Sequence, residues 1–222
     1  MILNTKERKL ERLNSGLTDT LTPQIYNMVI GSCILYGFIM NAFIVGFFGP
    51  LFMNMNYLVF VIGYFISCII GILLTRSSSP ITSFIGYNFV VVPIGALLSV
   101  CLPSYAYSNI MAAIVVTGVV VTIMMLLSIM IPATFEKMGL SLFLTLLIGL
   151  VAELIAFAFG YAGNIFNWLF VIVFSLYIGY DWHKAQMYPK TIDNAIDSSL
   201  DIYLDIINLF VRLLSIFSRN DD

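Results

Sequence analysis

Seven stretches of this chain are apolar over about the thickness of a bilayer core, and that leaves few folds open to it. They run over residues 25–48, 57–76, 80–101, 108–131, 139–160, 164–187 and 196–217. A helix needs roughly 20 mostly apolar residues to cross the hydrocarbon. The composition agrees: 60% of the 222 residues are hydrophobic and only 10% are charged, with a mean hydropathy of +1.00. The expected fold is an all-α integral membrane protein, a seven-transmembrane helix bundle with the C-terminal helix central. Short connections make residues 25–217 one domain, with a cytosolic tail at 1–24 and a short polar tail at 218–222. The first tail, with Lys6, Glu7, Arg8, Lys9, Glu11 and Arg12, reads as a short helix or frayed end. It is too polar ahead of the first apolar run to be a cleavable signal peptide.

The ten Lys and Arg residues orient the bundle. Four lie in the N-terminal tail, Arg76 follows the second segment, Lys137 the fourth, and Lys184 and Lys190 the sixth. The intervening connections, around 49–56, 102–107 and 161–163, carry none. Cytosolic loops hold the positive charge, so the N-terminus is expected inside a cell membrane, or facing the cytosol from an organelle. Arg212 and Arg219 run against the rule if the last segment spans. The net charge of −2 says little, and the scattered basic residues form no nucleic-acid surface. Cys33, Cys68 and Cys101 are spread over separate segments and read as small buried apolar residues.

Within this frame the other residues have ordinary readings. Pro50, Pro80, Pro103 and Pro132 fall at segment ends, whereas Pro93 sits inside the third segment and should kink it. Gly31, Gly37, Gly63, Gly71, Gly86, Gly95 and Gly149 permit close helix packing, and Asn41 and Asn88 suit inter-helix hydrogen bonds. The lone His183 lacks the companions a metal site would need.

The acids are less ordinary. Asp193, Asp197, Asp201 and Asp205 recur every four residues, which on a helix stacks them along one spiralling face. A carboxylate in a bilayer costs a few kcal/mol or more and seeks water, a cation or a partner. The stripe therefore suggests a hydrated acidic path for protons or metal cations. Asp181, in LYIGYDWHKAQ, closes the sixth segment about 9 Å from its helix end by helical rise, and Asp205 lies about 13 Å into the seventh. Antiparallel neighbours joined by a short loop bring those depths together, so a facing pair is expected, with Asp193 and Asp197 as its mouth. Asp193 is alternatively a helix N-cap beside Thr191. Arg76 is either an interfacial anchor or an ion-pair partner at that depth. Glu153, about 21 Å from the inner end of the fifth segment, is a second station on the path or is bonded to Asn and Tyr side chains.

The run Leu200-Asp201-Ile202-Tyr203-Leu204-Asp205-Ile206-Ile207-Asn208-Leu209-Phe210, followed by Leu213-Leu214, resembles the C-terminal signature L-Y-L-D-x-x-N-L-F-x-x-L-L of the Bax inhibitor family. Tyr180-Asp181 is similar to that family's Y-D-T motif, and Ser79-Pro80-Ile81 opens the third segment in keeping with its layout. The resemblance implies a seven-helix bundle around the last helix and, for bacterial members, a pH-sensitive calcium leak. It further implies that Asp181 and Asp205 share a proton and that an arginine of the second helix, here Arg76, can lock one of them. Trp182, Asp201 and Glu153 depart from the pattern.

Two carboxylates in a dehydrated pocket cannot both ionise cheaply. With one proton between them they bridge their helices; without it they repel and attract a hard, oxygen-seeking cation. The expected function is thus a passive, pH-gated Ca²⁺ leak, not an enzyme, with no cofactor beyond the transported ion and the regulating proton. Its partners are the bilayer, Ca²⁺, protons and other membrane proteins. A regulatory scaffold and a proton/cation exchanger are alternatives. An intramembrane aspartyl protease needs G-x-G-D where this chain has Ile202-Tyr203-Leu204-Asp205.

Overall fold

The computed structural model describes residues 20–161 and 164–219, and every regular element among them is helical. Seven helices follow in order: α1 (Pro23–Met53), α2 (Tyr57–Leu74), α3 (Pro80–Cys101), α4 (Tyr107–Met130), α5 (Pro132–Ala158), α6 (Ile165–Met187) and α7 (Ile192–Ser218). A single 3₁₀ turn, Leu102–Ser104, follows α3. The expected charged tail at 1–19, residues 162–163 of the fifth connection and residues 220–222 lie outside the described residues.

Local chemistry sets the helix starts. Thr22 Oγ1 accepts from the Ile25 N–H at 3.3 Å and Pro23 takes the first helical position, the two devices that suit a helix N-terminus. Asn56 Oδ1 accepts from Leu58 and Val59 to open α2. Pro80 and Pro132 open α3 and α5. Because Pro132 is preorganised for a first turn, α5 begins seven residues before the apolar run at Gly139 and takes Glu136 and Lys137 into the helix. Pro50 corrects the expectation that it ends a segment: α1 continues to Met53. A proline this close to the end removes little of the hydrogen-bond ladder, and Asn54 Nδ2 donates to the Pro50 carbonyl oxygen in the last turn at 2.7 Å. Pro93 lies inside α3, as expected.

Six helices, α1 to α6, are long and apolar enough to cross a membrane. Their outer faces are the reverse of a soluble protein's, with Met28, Leu35, Ile39 and Phe47 exposed along α1 and Leu140, Phe143, Leu147 and Leu154 along α5. Such rows of bare aliphatic and aromatic groups are stable only against lipid. The last helix is built differently. It is 27 residues long, about 40 Å by helical rise, and residues 193–200 are buried without a break. This is an all-α membrane bundle whose most polar helix is its most enclosed.

The chain divides into two compact units. The first holds α1, α2, α3 and residues 187–200; the second holds residues 104–186, with α4, α5 and α6, and the remainder of α7 from Asp201. In the first unit α3 packs on both α1 and α2. A Cβ added at Gly71 would stand 2.7 Å from the Gly86 carbonyl oxygen, and one at Gly86 would stand 2.7 Å from that of Gly71. The backbones of α2 and α3 therefore touch, as small residues allow in membranes. Tyr36 of α1 donates to Asn88 Oδ1 of α3 at 2.7 Å, the inter-helix bond expected of that asparagine. In the second unit the packing is aromatic on glycine: the Tyr180 ring seats on Gly139 and the Phe135 ring on Gly179. This locks α5 to α6 beside Asp181.

The cysteines are free thiols and only partly match their expected burial: Cys33 is buried, Cys68 half-buried and Cys101 exposed at the end of α3. Gly86→Ala should lower the thermal unfolding midpoint in detergent by the equivalent of about 1–3 kcal/mol, since its obstacle is backbone that cannot rotate away. Gly31→Ala, whose Cβ meets nothing within 4 Å, should be neutral or slightly stabilising. Equal midpoints for the two variants would contradict the backbone contact.

Candidate functional site: aspartates of the last two helices

The α6 helix runs on to Met187, past the apolar stretch that ends at Asp181, so Asp181 and Lys184 sit one turn apart on one helical face. In the second unit α7 sets Asp201 and Asp205 against them. Asp181 and Asp205 are each 8% exposed, and their carboxyl groups lie within hydrogen-bonding reach of one another. The expected facing pair is present. Because α7 starts at Ile192, four residues before its apolar run, Asp205 stands thirteen residues into the helix and not nine.

Asp205 Oδ2 is buried and accepts from no donor among the described residues. Ionised carboxylates only accept, so two of them at this distance form a hydrogen bond only if one carries a proton. An isolated buried acceptor costs about 1–3 kcal/mol. A single proton held between Asp181 and Asp205 converts a repulsive contact into a bond.

Lys184 is the member that the sequence reading missed. Its Nζ lies 2.8 Å from Asp201 Oδ2 and 3.3 Å from Asp181 Oδ1. The Asp201 side chain is 46% exposed, so this ammonium joins the buried pair to a more exposed acid. The signal was available in the i, i+3 spacing from Asp181, but Lys184 was counted as a loop charge. Tyr177, one turn before Asp181, borders the same carboxylates.

Glu153 belongs to a different cluster. The Arg212 guanidinium forks onto it: one nitrogen meets Oε1 in a very short contact, and the other meets Oε2 at 2.8 Å. Arg212 Nη1 also donates to Asn167 Oδ1 at 3.1 Å, and Asn167 Nδ2 donates to Ser215 Oγ at 3.0 Å. The guanidinium carbon stands 4.3 Å from the centre of the Phe170 ring. Three helices, α5, α6 and α7, meet in this network. The sequence leaves Glu153 as a second station on the path or bonded to Asn and Tyr side chains; its partner here is Arg212, and Asn167 meets it only through that guanidinium. No spacing in sequence links residues 59 apart.

The remaining site residues fall in the first unit. Thr191 is the cap of α7, its Oγ1 accepting from the Asn194 N–H at 3.2 Å, which corrects the alternative of Asp193 as N-cap. Asp193 Oδ1 instead accepts from the buried Ser83 hydroxyl of α3 at 2.7 Å. Asp197 is buried. The α6–α7 connection is pinned to the entry of α1, where the Leu21 N–H donates to Lys190 O at 2.6 Å. There the Lys190 ammonium stands 4.6 Å from the Tyr26 ring centre, and burial lowers its pKa from the ordinary lysine value. Arg76 is exposed in the turn after α2. Its backbone N–H donates to Leu73 O at 3.3 Å.

The family described as "Inhibitor of apoptosis-promoting Bax1" matches this chain over residues 18–222. A protein of Helicobacter pylori, described only as an uncharacterized protein, is 26% identical over 164 residues, which is 71% of this chain and 70% of that protein.

The Glu153–Arg212 pair can be tested as a pair. Arg212→Met and Glu153→Gln should each lower the unfolding midpoint in detergent, and the double variant should lose less than their sum. The coupling should be about 1–2 kcal/mol for a partly buried forked ion pair. Strictly additive losses would show that the two side chains do not interact.

Proposed function

The chain belongs to the Bax inhibitor family, and from that premise we propose that it is a passive, pH-gated Ca²⁺ leak through a cell membrane. The observation that carries the reading is the Asp181–Asp205 contact, with Asp205 Oδ2 buried and lacking a donor. A proton held between the two acids ties α6 to α7 within the second unit. Loss of that proton leaves two like charges a few ångströms apart, which favours their separation and the entry of a cation. Ca²⁺ is the cation best matched to carboxylate oxygens on flexible side chains, since it accepts irregular oxygen coordination. Asp193 and Asp197 continue the acidic stripe along α7 within the first unit.

The direction of the pH effect follows from this. The leak is low where the pair keeps its proton and rises as pH rises and the proton is lost. Purified protein reconstituted alone in liposomes should release Ca²⁺ faster at higher pH. Asp181→Asn and Asp205→Asn should each flatten that dependence, because an amide replaces half of the proton-sharing site. Asp193→Asn should reduce flux modestly and leave the pH midpoint in place. Wild-type pH profiles in both pair variants would overturn the gating reading; absence of flux from the protein alone would favour a scaffold, and obligatory proton countertransport an exchanger.

The same proposal places the N-terminus in the cytosol, because Arg76 and Lys190 follow the second and sixth spans, Lys184 lies in the last turn of the sixth, and Lys137 lies near the start of the helix after the fourth. Single cysteines introduced at 49–56 or 102–107 of a cysteine-free variant should react with an impermeant thiol reagent added outside intact cells. Those at 77–79 or 133–138 should be protected. The reverse labelling pattern would refute the orientation.

A further inference from the structure

The buried pair is flanked by a cation that the chain itself supplies. Lys184 Nζ bridges Asp181 on its own helix and Asp201 on α7, at 3.3 and 2.8 Å. The Asp205 carboxyl is close enough to interact electrostatically with Asp181, Asp201 and Lys184 alike. Tyr177 faces the same group, with Tyr180 beside it. One acid from each of two helices thus holds the ammonium, and a third, Asp205, lies within electrostatic range of it.

We propose that Lys184 is a tethered cation occupying the place of a divalent ion in a site formed by Asp181, Asp201 and Asp205, and that it sets how tightly a hard divalent cation binds there. The inference rests on the reading of the Asp181–Asp205 pair as a cation gate, and extends it to a third ligand and a built-in competitor.

Three features converge on this role. An ammonium and a metal ion need the same carboxylate lone pairs, so they compete for one position. The donorless Asp205 Oδ2 supplies an oxygen in reserve, on a side chain more than nine-tenths buried. Finally, the exposures are graded. Asp181 is 10% exposed at its side chain, Lys184 32% and Asp201 46%. An ion arriving from the exposed side therefore meets Asp201 first, and the flexible lysine stem has room to swing away when displaced.

The arrangement also sets the charge. With one proton in the pair, the ammonium leaves the cluster with a single negative charge. Remove the ammonium and the same carboxylates present a stronger field to any cation at the same depth.

The test is Ca²⁺ binding by the purified full-length protein in detergent, measured by titration calorimetry beside liposome flux. Lys184→Met keeps the apolar stem and removes the charge, and should tighten Ca²⁺ binding about tenfold or more, corresponding to about 1.4 kcal/mol per decade. Lys184→Arg retains the charge and should stay within about twofold of wild type. Adding Asp201→Asn to Lys184→Met should abolish the gain. Should the methionine variant not fold, Lys184→Gln gives the same readout. Unchanged Ca²⁺ affinity on removing the charge overturns the proposal, as does equal tightening by arginine. The leak and the site fail separately: tighter binding without flux from any variant refutes the leak and upholds the site. A pH-gated flux with affinity indifferent to Lys184 does the opposite.

Discussion

Charge inside a membrane bundle must be matched, and α7 brings more of it than the other helices together can ignore. Four aspartates and an arginine lie along its described length. Each charged group left alone in hydrocarbon costs several kcal/mol, so the neighbouring helices are specified by what α7 carries. Ser83 of α3 donates to Asp193 in the first unit. In the second, Lys184 of α6 meets Asp201, Asp181 meets Asp205, and Glu153 of α5 meets Arg212. The remaining surface is then free to be apolar, as the exposed faces of α1 and α5 are.

Close packing makes this matching possible. A carboxyl pair on α6 and α7 keeps its geometry only if α6 does not rotate, and α6 is fixed by the Tyr180 ring on Gly139 and the Phe135 ring on Gly179. Tyr180 is the residue before Asp181, so the aromatic seat also sets the direction of the acid. In the first unit the contact of Gly71 with Gly86 plays the corresponding part for α2 and α3. Glycines stand where helices must touch, because lipid offers no hydrophobic force to push them together.

The fold was legible because a bilayer imposes one length and one polarity on every span. Each of the seven apolar runs corresponds to a helix, and the errors lie where helix and apolar run part company. Pro132 starts α5 ahead of Gly139, and Ile192 starts α7 ahead of Ile196, since capping and proline geometry do not register in hydropathy. Lys184 was hidden for another reason: the segment 164–187 already carried it on the helix, as the structure does, but its charge was read as a loop charge for orientation. Asp181 and Asp205 were found from their depth and their motif. Arg212 as the partner of Glu153 was not, because an ion pair between helices far apart in sequence leaves no spacing to read. Arg76 is exposed in the turn after α2, a place that suits an interfacial anchor.

The two ion clusters of the second unit differ in a way that suits different tasks. Arg212 is planar, permanently charged and engaged by two oxygens of Glu153 and one of Asn167. A forked contact of that kind loses all of its bonds together when it opens, which favours a fixed strut between α5, α6 and α7. Lys184 is a point charge on four methylenes, a third exposed, holding one oxygen from each of two acids. It can give up either bond singly and find water at once. Strength in the first cluster comes from geometry, and lability in the second from its absence. A helix that must hold its position while exchanging a proton or an ion beside it needs both. The exchangeable cation accordingly stands where Asp181 and Asp205 already place a proton in question, and the fixed one stands well along α7 from it.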